Sequence, residues 1–287
     1  MIMKDAFSAC HPAVNLVFFI GTIGCGVVFL HPVYLSVSIC CSLCYYIFLK
    51  RKKAIKATAC MLPLVIFLSA VNPLFNTQGE TVLFLITDRP YTLEALLYGC
   101  ALSGMLLTML LWFGCYNHVL TGDKLTSLIG NLLPSLSLLL VMVLRMIPDL
   151  IQKIHQITGS RRSVGKGSDR KLQEGMTVLG ALVSWALEGS VTKADSMRAR
   201  GYGTAKRQSF LIYRMTLRDY TLLFMELTLL TGILIGASCG HANTIYAPVI
   251  SFSPPSWGVV LYGIYLSIPL ALNIKEAIQW HISKSKI

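Results

Sequence analysis

Leu93-Glu-Ala-Leu-Leu-Tyr-Gly-Cys-Ala-Leu-Ser-Gly-Met-Leu-Leu-Thr-Met-Leu-Leu-Trp-Phe-Gly-Cys-Tyr116 carries one charged side chain, Glu94. A helix rises about 1.5 Å per residue and a hydrocarbon core is about 30 Å thick, so ~20 apolar residues suffice to cross it. This run has length to spare. Similar runs lie at 14–30, 32–49, 57–71, 220–239 and 257–274, giving six expected spans. The third is the shortest and holds Pro63, which neighbouring helices can accommodate. A further apolar stretch, 125–146, contains Asn131, Pro134, Ser135, Ser137 and Arg145 and reads as an interfacial or membrane-buried helix pair. Composition agrees with these runs. The chain is 54% apolar and 13% charged with a mean hydropathy of +0.64, against about 25% charged in a soluble domain. A soluble fold is excluded.

Lysine and arginine beside span ends stay on the cytoplasmic side. With both termini and residues 118–218 inside, every basic residue but Arg89 is inside, including the cluster Lys50-Arg-Lys-Lys53 and Lys56. A crossing at 125–146 would put the basic residues from Lys153 to Arg218 opposite that cluster. The expected divisions are therefore 1–117 (four spans), 118–218 (an inserted cytoplasmic and interfacial segment) and 219–287 (two spans and a tail). Residues 1–12 show no small-residue cleavage site after a short apolar core, so the first span is expected to remain as an anchor.

The net charge of +12 sits beside spans without interleaved surface aromatics, which fits anionic headgroups and not nucleic acid. Nine cysteines, mostly inside apolar runs, give no disulfide framework. Cys41-Ser-Leu-Cys44 has no companion pair and reads as packing, not as a metal or redox site.

In the inserted segment, Pro148-Asp149 resembles a helix start, and Gly159, Gly165 and Gly167 with Ser160, Ser163 and Ser168 mark a break. A second helix is expected from an N-cap at Asp169 to about Arg200. Its buried stripe would run through Leu172, Met176, Leu179, Leu182 or Val183, Ala186 or Leu187, and Val191, and Gly201 would end it. Arg198 and Arg200 then stand beyond the apolar stripe. The helix dipole alone also favours arginine there.

At these residues the chain resembles the transmembrane T component (EcfT, related to the cobalt-transport CbiQ proteins) of energy-coupling factor transporters, a branch of the ABC importers. Ala194-Asp-Ser-Met-Arg-Ala-Arg-Gly-Tyr-Gly203 is similar to the family's second coupling motif, centred on Ala199-Arg200-Gly201. Asn72-Pro-Leu-Phe75, Thr92-Leu-Glu-Ala95 and Leu144-Arg-Met-Ile-Pro148 resemble further family segments in family order. The resemblance implies an all-α integral membrane protein of about six spans, with a cytoplasmic coupling domain of long amphipathic helices inserted before the last two. It also implies a scaffold without catalytic or cofactor sites, set in a prokaryotic plasma membrane. Two ATPase subunits, which bind the ATP and Mg, would dock on its X-Arg-X motifs, and the chain would hold a membrane-embedded substrate-binding S component for vitamin or metal-ion uptake. The first motif falls in Thr158-Gly-Ser-Arg-Arg-Ser163, with Ser160-Arg161-Arg162 the docking residues, Arg161 the assigned arginine and Arg162 the alternate.

The nearest approach to a phosphate-binding loop, Ser160 to Gly167, has serine for the first glycine and glycine for the final hydroxyl. No zinc-protease helix motif or serine-nucleophile elbow occurs. A membrane enzyme using Glu188, His155 or His118, or a self-sufficient carrier, are the competing classes. Two carboxyls lie at membrane depth, where ionisable groups are costly and tend to be functional. Glu94 has a role ready at a helix N-terminus. Glu226 does not, and is a candidate for a specific polar contact with another helix or subunit.

Overall fold

Two of the first three helices start on the same dipeptide. His11-Pro12 and His31-Pro32 place proline at the first helical position, where its missing N–H costs nothing. Each histidine Nδ1 accepts a hydrogen bond from the amide two residues on, Ala13 and Val33, both at 3.2 Å. They open α1 (Pro12–Val28) and α2 (Pro32–Lys50). The structure is a computed structural model describing residues 5–76, 79–86, 89–132, 134–165, 171–202, 213, 215–241, 244–246, 251–252 and 257–284. The remaining elements are α3 (Lys52–Phe75), β1 (Val82–Ile86), β2 (Arg89–Thr92), α4 (Leu93–Val119), α5 (Gly122–Leu132), α6 (Pro134–Ser163), α7 (Lys171–Ala199), α8 (Leu217–Gly236), β3 (Thr244–Ile245), β4 (Ser251–Phe252) and α9 (Trp257–Lys284). A π-turn, Ala237–His241, follows α8.

The chain divides into two units, residues 1–122 with 213–287, and residues 123–212. In the first, α2, α3, α4, α8 and α9 are each long and apolar enough to cross a membrane. α1, at 17 residues, lies at the lower end of the spanning range. The protein is an all-α integral membrane protein. Its bundle has an aromatic centre: Phe18 meets Phe7 at 5.2 Å, Trp112 at 5.8 Å and Tyr265 at 5.2 Å between ring centroids. Gly99 lets α4 approach α3 closely, since a Cβ there would meet the Ser69 carbonyl and the Asn72 side chain at 2.8 Å. Small residues serve this purpose where lipid gives helices no hydrophobic reason to associate.

Polar ties gather at one end of the bundle. Asp5 accepts from Tyr45 at 2.9 Å and from the Asn273 amide, while Asn273 Oδ1 accepts from the Ala6 amide at 2.7 Å. Asp219 closes a capping box with Thr216 and also accepts from the His11 amide at 3.1 Å. The starts of α1 and α8 and the second half of α9 are thereby held together. Beside them Cys10 is buried; removal from water pushes its thiol up to about 11, and nearby Arg218 offsets this only in part. That fits a thiol used as a small hydrophobe.

Several expectations need correction. The third span is a 24-residue helix, longer than 57–71, with both Pro63 and Pro73 inside it. Two antiparallel hairpins, β1–β2 and β3–β4, were not expected. Pro148 does not start a helix, and Gly159 and Ser160 do not break one. α6 runs 30 residues through them. The hydroxyls of Thr158, Ser160 and Ser163 donate to the carbonyls four residues back, at 2.8, 2.9 and 3.1 Å, which absorbs their polarity within the helix. Gly165, at φ +71°, is the actual stop. Asp169, the expected N-cap of α7, and Gly167 and Ser168 lie outside the described residues.

Candidate coupling site

α6 and α7 make up most of the second unit. On α6, Met142, Met146, Leu150, Lys153, Ile157 and Arg161 are half-buried while, Thr158 apart, their neighbours are exposed, the three-to-four spacing of one packed face. On α7 the covered face is Glu174, Val178, Leu182, Trp185, Ala186 and Gly189. The Lys153 ammonium lies over the Trp185 ring, 5.3 Å from its centroid, joining the two faces. Seven residues, 164–170, connect the helices and reach at most about 25 Å. α7 therefore starts near the end of α6 and runs back along it to Trp185.

Most of the stripe expected to be buried on α7 faces outward, and only its alternates Leu182 and Ala186 are half-buried. Met176, Leu179, Val183, Leu187 and Val191 are 47% to 70% exposed. The helix is apolar on two faces, and Val178, Leu182 and Trp185 take the one against α6. Sequence periodicity registers the outer stripe and cannot say that a second, sparser face does the packing.

Both helices end on a glycine in the left-handed region, Gly165 at φ +71° and Gly201 at φ +81°. At α7 the Gly201 amide donates to the Arg198 carbonyl at 2.9 Å and the Tyr202 amide to the Met197 carbonyl at 3.0 Å, the paired bonds of a Schellman cap. Arg198 is then two residues inside the helix, Ala199 its last residue, and Arg200 the capping residue at the tip. All four residues from Arg198 to Gly201 are exposed. At α6 the Gly165 amide donates to the Arg162 carbonyl at 3.1 Å. Counted from the glycine, Arg162 matches Arg198, Val164 matches Arg200, and Arg161 has no counterpart on α7. Ser160 and Arg162 are exposed, whereas Arg161 is half-buried on the face turned to α7. The sequence favoured Arg161; the helix phase gives Arg162 the open position.

The two arginine tips lie in opposite directions from the Lys153–Trp185 contact. Arg162 is nine residues along α6, about 13 Å, and Arg200 fifteen residues along α7, about 22 Å. One ligand cannot engage both.

Elsewhere, Glu94 proves to be a brace. Its carboxylate accepts from the Thr81 hydroxyl at 2.6 Å and the Thr81 amide at 3.3 Å, tying α4 to the base of the β1–β2 hairpin. Glu226 is fully buried, and neither carboxylate oxygen has a hydrogen-bond partner. Among the described residues no polar contact to it is made from another helix. Glu188, His155 and His118 are each exposed on a different helix. Among the described residues no group of three or more His, Cys, Asp or Glu side chains is placed to hold a metal.

The chain is thus a multi-span membrane protein with two long, basic-tipped helices inserted before its last two spans. The chain belongs to the CbiQ family, described as cobalt transport protein, whose profile matches residues 5–210. The match takes in α1 to α7, both arginine tips included, and ends before α8. Comparison with curated proteins finds no match.

Proposed function

We propose that the chain is the non-catalytic T component of an energy-coupling factor importer, with α6 and α7 as its coupling helices. Two ATPase subunits, carrying ATP and Mg, dock one on each arginine tip. Ala199-Arg200-Gly201 takes one, and Ser160-Arg161-Arg162 takes the other with Arg162 making the contact. A membrane-embedded S component selects the vitamin or metal ion and is moved when the ATPases close. The tips and both termini face the cytoplasm, and the membrane is a prokaryotic plasma membrane.

The observation that carries this reading is the α6–α7 pair: two exposed arginine-bearing caps pointing in opposite directions, joined by a helix whose outer apolar stripe is uncovered. Guanidinium suits a two-pronged bond to a carboxylate. An uncovered apolar stripe of this length calls for a partner or lipid surface. The Lys153–Trp185 contact joins the two helices between their tips.

The test is affinity capture of the tagged chain from its native membrane, followed by vesicle uptake. Two ATPases and a small membrane protein should co-purify, and uptake should need all of them. The chain alone should hydrolyse no ATP above a detergent blank. Substrate-dependent hydrolysis or uptake by the isolated chain overturns the proposal in favour of an enzyme or carrier. Single cysteines at Ser163 and Ser251, in a cysteine-free background, report orientation: an impermeant reagent on intact cells should label Ser251 and spare Ser163.

A further inference from the structure

The β1–β2 hairpin joins α3 to α4 at the end of the bundle opposite the Lys50–Lys53 turn, since α3 starts at that turn and crosses to Phe75. Thr81 to Ile86 carries no charged side chain, and Val82, Leu83 and Leu85 are 52%, 51% and 70% exposed. Strand pairing sets their directions. Val82 stands opposite Thr92 and Leu85 opposite Pro90, which puts both on one face, while Phe84 and Tyr91 pair on the other; Leu83 is the extra residue of a bulge.

The hairpin is a built element and not a slack connection. The Leu93 amide donates to the Thr81 carbonyl at 3.1 Å, the Glu94 carboxylate accepts from the Thr81 hydroxyl at 2.6 Å, and the Tyr91 hydroxyl donates to the Ala70 carbonyl of α3 at 3.2 Å. The last bond turns the Tyr91 face toward α3 and leaves Val82 and Leu85 pointing away from it. In water such a strand is a liability, because an uncharged apolar edge invites pairing with other chains and is usually blunted by lysine or proline. β1 has neither.

What covers it follows from the surface it continues. Ala70 belongs to a helix whose Ile66, Phe67, Leu74 and Phe75 are exposed, Phe75 by 80%, and on a membrane-spanning helix that surface faces lipid. Residues 76–81 alone separate Phe75 from Val82. The depth is limited from both sides. A two-stranded sheet has unpaired N–H and C=O groups along its outer edges, which hydrocarbon cannot satisfy, whereas its apolar side chains gain by leaving water at the headgroup and acyl boundary. The Tyr98–Tyr246 ring pair, 5.4 Å between centroids, lies at the same end of the bundle, and tyrosine collects at that boundary. We infer that the β1–β2 hairpin lies in the interfacial zone of the leaflet opposite the Lys50–Lys53 turn and binds phospholipid there, with Val82, Leu83 and Leu85 set among the upper acyl chains. Bonded to both α3 and α4, it sets the depth of that helix pair.

The full chain in phospholipid nanodiscs, without partners, provides the test, so the outcome is independent of the transport reading. Leu85→Cys, Val82→Cys and, as a hydrocarbon reference on α3, Ile66→Cys are made in a cysteine-free background and labelled with a nitroxide. Electron paramagnetic resonance then reads collisions with oxygen, which partitions into lipid, and with a neutral nickel chelate, which stays in water. At Leu85→Cys and Val82→Cys oxygen should collide severalfold more often than the chelate, with a ratio below that at Ile66→Cys. The inference is overturned if the chelate collides as often as oxygen at either site, the result for a strand that stands in water awaiting a protein partner. It is equally overturned if the ratio matches that at Ile66→Cys, which places the hairpin in the hydrocarbon core, or if neither reagent reaches the labels, which packs them against the bundle. Should one labelled variant fail to fold, the other decides.

Discussion

The C-terminal ends of α6 and α7 solve the same local problem with different side chains. Each has a left-handed glycine, and each glycine amide returns to the carbonyl three residues back. On α7 the residue just before the glycine is Arg200, whose side chain starts where the helix stops. On α6 that position is Val164, and the arginines lie two and three residues further in, one exposed and one against α7. Equal backbones thus present unequal charges: one guanidinium at the tip itself, the other on the flank. What differs between the ends is the register of arginine against the cap, and the register decides which charges a partner can reach.

The largest effect should come from Arg200→Glu. Removing one member of a desolvated ion pair commonly costs ~2–5 kcal/mol, about 30-fold to several-thousand-fold in affinity, and a reversed charge adds repulsion. Uptake should be lost and ATPase retention fall accordingly, with membrane levels unchanged on immunoblots. Normal uptake in this variant would remove α7's claim to a docking role and leave its arginines as dipole partners worth under ~1 kcal/mol.

Arg162→Ala and Arg161→Ala sharpen the contrast next. Arg162→Ala should weaken ATPase retention with melting unchanged, whereas Arg161→Ala should lower the melting temperature and affect retention less. The reverse pattern, read by pull-down and thermal scan side by side, would restore Arg161 as the docking residue.

Substituting the cap glycines separates shape from charge. Alanine at Gly201 or Gly165 must hold a left-handed backbone at a cost of about 1–2 kcal/mol. Melting should fall similarly in both variants, but ATPase retention should fall more for Gly201→Ala because Arg200 adjoins the disturbed residue. Equal retention in the two would argue that the arginines act independently of their caps. Lys153→Met should be mildest, losing a cation–π contact of ~0.5–1 kcal/mol. Uptake should drop less than twofold, measured as initial rate in vesicles.

The spans were legible because apolar length and flanking charge are one-dimensional signals. The end of α7 was legible too, since glycine after an arginine-rich turn names its own conformation. Three features were not. The phase of α6 depends on where the helix begins, and Pro148 looked like a beginning although the helix had started at Pro134; starting late hides that Arg161 shares a face with Met142, Met146 and Leu150. The packed face of α7 is sparser in large apolar residues than its outer face, so periodicity points outward. The first strand of the β1–β2 hairpin is a five-residue apolar run, Val82-Leu-Phe-Leu-Ile86, too short for a span and lacking the polar alternation of a half-buried strand. For the proposed docking residues, the sequence supplied the arginines, and only the helix geometry separates Arg162 from Arg161.

Between α2 and α3 the chain reverses through a single residue, Arg51, at φ 50° and ψ −126°. With no loop to pay out between them, these helices cannot enter a bilayer one after the other as separate segments. They enter together, as a helical hairpin whose blunt end is Lys50-Arg-Lys-Lys53. Those four charges are too costly to drag through hydrocarbon. In the orientation proposed above, with this turn on the cytoplasmic side, it would work as a stop during synthesis, holding the leading edge of the growing chain on that side and setting the direction of the helices made after it.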